Sequence, residues 1–276
     1  MPKSSMGNTR TKVLITVMTY PHPSETYTEL VCTAGITEAN EWVRLYPIDY
    51  RYRPPEQRFK KYQWIEVELG PRGAGNDQRA ESRRPELGTI QLVGPRLPSD
   101  RNWIERRAII DKMPVFTRNQ LWNQHEADKH VGRSPVSLGI VRPTKIVGVE
   151  VVPVTGDWKA EWKAILAQGN LFGEELKEIR KLPFAWRYVF ECEDSEGKPH
   201  TAMNEDWEIG VLYWKELERL GSPVAAAESV RKKCLQMVAE DRDARFFMGT
   251  VFPYNTWIVL GVFWPAKEAQ QRLGTW

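Results

Sequence analysis

The apolar residues of this chain come in short β-branched and aromatic runs cut off by turn formers, and that spacing limits the fold more than any other feature. In the N-terminal half, VLITVM at 13–18 runs into Tyr20-Pro21-His22-Pro23, where two prolines impose a turn or an extended loop. LVCTAGI at 30–36, WVRLYPI at 42–48, QWIEVEL at 63–69 and TIQLV at 89–93 follow at strand length, the last ended by Gly94-Pro95. Alternation within 42–48 puts Trp42, Arg44 and Tyr46 on one face and Val43 and Leu45 on the other. Segment 70–86, rich in Gly, Arg and Asp, reads as a loop.

The second half mixes strands with helices. A short helix is expected over 102–111, and the polar stretch 117–131 reads as a loop with a helical turn. Strands over 136–141 and 144–154 flank Arg142-Pro143. Asp157 opens an amphipathic helix through Trp158, Trp162, Ile165 and Leu166, and a further helix covers 174–181. Asp194-Ser195-Glu196-Gly197 joins strands 184–193 and 198–203 as a hairpin. Asp206 caps the next helix, Ser222-Pro223 starts another, and a last hairpin pairs 246–251 with 256–263. Five short strands with long connections, followed by a second unit of the same plan, predict an α+β fold. It is predominantly β: two OB-like small barrels with inserted and flanking helices. The expected domains are 12–133 and 134–265, divided near 132–136, with tails at 1–11 and 266–276.

Composition bounds the setting. Cys32, Cys192 and Cys234 are odd in number and form no CxxC pair, which fits a reducing compartment and buried thiols. The polar start MPKSSMGNTRTK is no signal peptide, and no run reaches membrane-helix length, so a cytoplasmic protein without a membrane contact is expected. Charge is uneven. Residues 1–150 carry 23 Lys and Arg against 17 Asp and Glu, whereas residues 151–276 carry 16 against 19, so a polyanion contact is expected in the N-terminal half.

Six stretches occur in the order of one family: CTAGI at 32–36, EWVRLYPIDYR at 41–51, QRFKKYQWIEVEL at 57–69, SLGIVRPTKI at 137–146, DWEIGVLYW at 206–214 and FFMGTVFPYNTWIVLGVFWP at 246–265. Together they resemble the bacterial dual OB-fold domain proteins, accessory parts of prokaryotic defence or mobile-element systems. The resemblance implies the fold and a nucleic-acid-binding or adaptor role, and it carries over no catalytic residue.

Segment 42–64 is the leading candidate site, because cations interleave there with rings. Single-strand binders need cations for phosphates and ring faces for bases. The expected nucleic-acid contacts are Arg44, Tyr46, Arg51, Tyr52, Arg53, Lys60, Lys61 and Tyr62. A competing account buries Tyr46, Phe59 and Trp64 and leaves the cations as a solvated rim. Arg72, Arg79, Arg83 and Arg84 form a second basic group on a loop able to wrap a backbone, and Arg106 and Arg107 share the outer face of a short helix. QHEADKH, with His125 and His130, is not a zinc spacing, and neither a metal nor another cofactor is expected. Neither GxSxG nor GxxxxGK[ST] occurs.

The preferred function is therefore a non-enzymatic binder of single-stranded or structured DNA or RNA. The alternative is an adaptor subunit docking a protein partner, such as an enzyme, through exposed aromatics. A metal-dependent nuclease built on Asp206 and Glu208 ranks last, since Asp206 as helix cap and Glu208 in the first turn account for both carboxylates.

Overall fold

The computed structural model describes residues 7–24, 28–72, 77–154, 157–158, 179–251 and 256–267. The fold is α+β and mostly β. The N-terminal strands are β1 (Thr9–Met18), β2 (His22–Ser24), β3 (Thr28–Leu30), β4 (Thr33–Thr37), β5 (Trp42–Leu45), β6 (Trp64–Leu69), β7 (Ser82–Arg83) and β8 (Gln91–Val93). Helix α1 (Asp100–Ile110), β9 (Val115–Phe116), α2 (Arg118–His130), β10 (Leu138–Val141) and β11 (Lys145–Pro153) follow. Then come β12 (Phe184–Glu191), β13 (His200–Met203), α3 (Trp207–Leu220), α4 (Pro223–Met237), β14 (Arg245–Val251) and β15 (Thr256–Phe263). The helices expected over 157–169 and 174–181 lie largely outside the described residues.

The N-terminal sheet runs β7-β5-β4-β1-β6-β8. By strand pairing it is open, so no closed barrel forms among the described residues. Its two ends approach only where the chain beyond β7 crosses to β6: Leu69 and Pro85 form an isolated bridge, and the Gly70 amide donates to the Arg84 carbonyl at 2.9 Å. The C-terminal half holds two sheets, β15-β14-β10-β9 and β11-β12-β13, linked by the Asn204–Val259 bridge. Since β9 pairs with β10, this half takes in residues 115–116, upstream of the expected boundary.

Three apolar clusters explain the layering. Val13, Ile15, Leu45, Phe59 and Val67 fill the N-terminal sheet, and Trp186, Tyr188, Tyr213, Val230 and Phe246 fill the C-terminal half. The third draws on both halves, with Val17, Ile36 and Tyr62 meeting Ile140, Phe247, Leu260 and Phe263. Burying such side chains is worth about 1.5–3 kcal/mol each, so the halves share a core rather than merely touching.

Two expectations fail here. The polar stretch 117–131 is not a loop but α2: Thr117 accepts from the Gln120 amide while the Gln120 side chain accepts from the Thr117 amide, a complete capping box. In α1, Arg106 does not share an outer face with Arg107. Arg101, Asn102 and Trp103 have φ of 44°, 54° and 59°, a left-handed opening that turns Arg106 inward until it is 4% exposed. Its guanidinium sits 4.0 Å over the Tyr62 ring and 4.6 Å over Trp103.

Helix α3 ties the two halves together along one face. Ile209, Gly210 and Tyr213 point inward, and the helix stops at Gly221, whose φ of 65° suits a residue without Cβ. Gly210 is required where the helix meets Tyr20, just beyond β1, because a Cβ there would lie 2.2 Å from the Tyr20 ring. Among the described residues, no helix is long and apolar enough to cross a membrane.

Candidate functional site

Residues 60–63 form a tight turn ahead of β6. The Gln63 amide donates to the Lys60 carbonyl at 3.1 Å, and Tyr62 adopts a φ of 62°. This turn sends Lys61 inward across the junction between the halves. The chain leaving β13 arrives there too: the Glu205 amide donates to the Val259 carbonyl, the Tyr20 amide donates to the Glu205 carbonyl, and Asp206 bridges to Thr19. Lys61 Nζ then donates to Asp206 Oδ2 at 2.6 Å and to Glu208 Oε2 at 3.1 Å. Asp206 keeps its capping role through Oδ1, which accepts from the Glu208 amide at 3.0 Å. Arg96 reaches Glu208 Oε1 at 3.4 Å.

Burial separates these groups. The Lys61 and Asp206 side chains are 4% and 2% exposed, whereas Glu208 is 54% exposed. Burial opposes the Lys61 charge, yet Asp206 and Glu208 outweigh it and raise its pKa. Burial pushes the Asp206 carboxyl up against the pull of Lys61. Lys61, foremost, holds Glu208 below the usual carboxylate range, so Glu208 is a fixed anion and a pure hydrogen-bond acceptor.

Above this cluster lies a pocket of about 450 Å³. Tyr50, Phe59, Trp207 and Trp264 supply its rings, and Lys60, Arg96, Lys215 and Lys233 supply cations besides Lys61. Lys60, Arg96 and Lys215 are exposed. Lys60 and Lys215 form no salt bridge among the described residues, and Lys233 Nζ lies 4.5 Å over the Trp264 ring. Trp207 meets Tyr50 edge-on at 5.5 Å. The size is that of a pocket for one compact ligand. Rings with four rim cations against one exposed carboxylate suit an anionic, planar group.

The expected contact residues divide. Lys60 lies on the pocket, and Lys61 forms its charged floor as a buried ion pair, removed from direct phosphate contact. Arg44 and Tyr62 are corrected outright, being 2% and 3% exposed. Arg44 points into the junction, where its Nη2 donates to the Ser137 carbonyl and hydroxyl at 3.1 Å. Burial, then Arg79, lowers its pKa to about 10. Tyr62 packs beneath Arg106. Tyr46, Arg51, Tyr52 and Arg53 are half-buried beside the pocket-lining Tyr50, and Arg53 pairs with Asp49 at 2.5 Å.

The second basic group is also engaged with protein. Arg79 is 7% exposed and pairs with Asp77 while donating to the Thr250 carbonyl, Arg83 donates to the Gly70 and Leu69 carbonyls, and Arg72 pairs with Glu41. A backbone-wrapping arm is therefore not available from these three. His125 is buried with Nδ1 on the Val136 carbonyl at 2.6 Å, and no cluster of His, Cys, Asp and Glu suited to a metal occurs among the described residues. Between Asp206 and Glu208 the cation is Lys61 itself. The residues missed by sequence reasoning are Arg96, Lys215 and Trp207. They lie on separate segments, so no local spacing marks them as one site.

Residues 9–112 match the model of a domain of unknown function, DUF8758, and residues 115–275 match that of another, DUF8757. The two matches meet within the connection between α1 and β9. No curated protein matches the chain.

Proposed function

Because the chain belongs to the family of the domain of unknown function DUF8757, which prescribes no reaction, we propose a function from the chain's own chemistry: it binds single-stranded DNA or RNA, with one nucleotide seated in the pocket between β6 and α3. The observation that carries this reading is the gathering of Lys60, Arg96, Lys215 and Lys233 around a recess walled by Tyr50, Trp207 and Trp264. Rim cations take phosphates, and ring walls take a base face, each stacked base being worth about 1–3 kcal/mol. Relative to the sequence expectation, the contact surface moves from the 42–64 strand–loop–strand to a junction site that shares Lys60 with it.

The test is fluorescence anisotropy with labelled single-stranded DNA and RNA, across a salt series. Binding should weaken with salt, and the triple variant K60A/R96A/K215A should bind at least tenfold more weakly. Its logarithmic salt slope should be shallower by about 2, at roughly 0.7 per lost phosphate contact. Wild-type protein that binds neither strand at low salt sinks the proposal. Binding insensitive to salt, together with a stoichiometric protein partner from the native host, would favour the adaptor reading instead.

A further inference from the structure

We propose that Glu208, with the cations beside it, makes the pocket select guanine among the bases. This specificity rests on the nucleic-acid reading and deepens it. A carboxylate inside a phosphate-attracting pocket is unfavourable for phosphate alone, so its presence needs another role. Glu208 is 54% exposed at the pocket wall, and its two oxygens are steadied from behind by Lys61 at 3.1 Å and Arg96 at 3.4 Å. Both supports leave lone pairs on each oxygen facing outward, and the ionised group can only accept.

The local pattern is a cationic donor next to a double acceptor. Arg96 is 42% exposed and keeps further N–H groups for a ligand. Guanine alone presents the complement along one edge: the O6 acceptor, then the N1–H and N2–H donors. Thymine and uracil place one N–H between two carbonyls, of which the second faces the carboxylate. Cytosine and adenine offer an amino group beside a bare ring nitrogen, which the carboxylate repels. Trp207 and Tyr50 wall the same recess and supply the stacking surface.

The probe is an oligothymidine of about 12 nucleotides with its central residue T, C, A or G. Wild-type protein should bind the guanine-containing strand about fivefold or more tightly than all-T, the discrimination expected of one bidentate base contact. Glu208→Ala should erase that difference while all-T binding holds or tightens. Glu208→Gln, which keeps the size but replaces one acceptor with a donor, should also lose the guanine preference. Thermal melting of both variants distinguishes lost selectivity from lost fold. Equal binding of the four strands by wild-type protein overturns the guanine assignment and leaves the nucleic-acid reading standing. Binding of none of them overturns both.

Discussion

Two charged clusters stitch the halves together, and they are built on opposite principles. In the first, Glu81 accepts from the Ser137 amide at 2.9 Å, the Ser137 hydroxyl at 2.7 Å and the Leu138 amide at 3.2 Å. Arg44 donates to Ser137, and Arg79 donates to Asp77 and to the Thr250 carbonyl. Arg44, Arg79, Glu81 and Ser137 are all buried, and their charges end on protein groups. In the second, Lys61 and Asp206 are just as buried, but Glu208, Arg96, Lys60 and Lys215 open onto a pocket. A buried cation with every neighbour satisfied is a seam. A buried pair that props up exposed charges around a recess is the floor of a site. Basic residues that look alike in sequence thus divide by where their hydrogen bonds end.

Breaking the seam should have the largest effect. Glu81→Ala strands two buried amides and leaves Arg44 and Arg79 undercompensated, so it should cost about 3–5 kcal/mol in urea unfolding. A loss below about 1 kcal/mol would mean that the seam is not structural.

Lys61→Ala comes next, at about 3 kcal/mol near neutral pH, because it abandons the Asp206 charge in the interior. The pH dependence has a definite sign. Burial raises the Asp206 pKa in the fold above its unfolded value, so the folded state holds this proton more tightly. Protonation therefore favours the fold at low pH, and the advantage fades as pH rises through the folded pKa. The penalty of Lys61→Ala, measured against wild type, should shrink as pH falls toward the ordinary carboxylate range. A penalty constant with pH would contradict the assignment of Asp206 as the stranded charge.

The smallest stability effect belongs to the rim. Lys60→Ala and Lys215→Ala should each leave unfolding within about 0.5 kcal/mol of wild type while weakening strand binding severalfold. If they destabilise as the seam variant does, the contrast between the clusters collapses.

Much of the fold is legible in the residues. Strands β1, β5, β6, β12 and β15 follow their β-branched runs, and Asp206 and Ser222 cap the helices they precede. Helix α2 escaped because apolar periodicity is a poor guide to a helix that buries only Leu121, His125 and Asp128. Its signal was instead Thr117 followed by Gln120. The inward turn of Arg106 escaped because three non-glycine residues at positive φ leave no mark in a sequence pattern. The candidate site was half legible: Lys60, Lys61 and the ring-rich 50–59 segment were singled out. Arg44 misled because strand alternation says which face a residue occupies, not whether another sheet covers that face. Arg96, Lys215 and Trp207 reach the pocket from three segments joined only by the tertiary fold.

The most direct measurement is ultraviolet crosslinking of a bound single strand, with mass spectrometric mapping of the modified peptides. Binding in the pocket predicts adducts at Trp207 or Trp264, lost in K60A/R96A/K215A. Adducts confined to Tyr46 and Tyr52, with none at the pocket tryptophans and no effect of the rim variant, would contradict it.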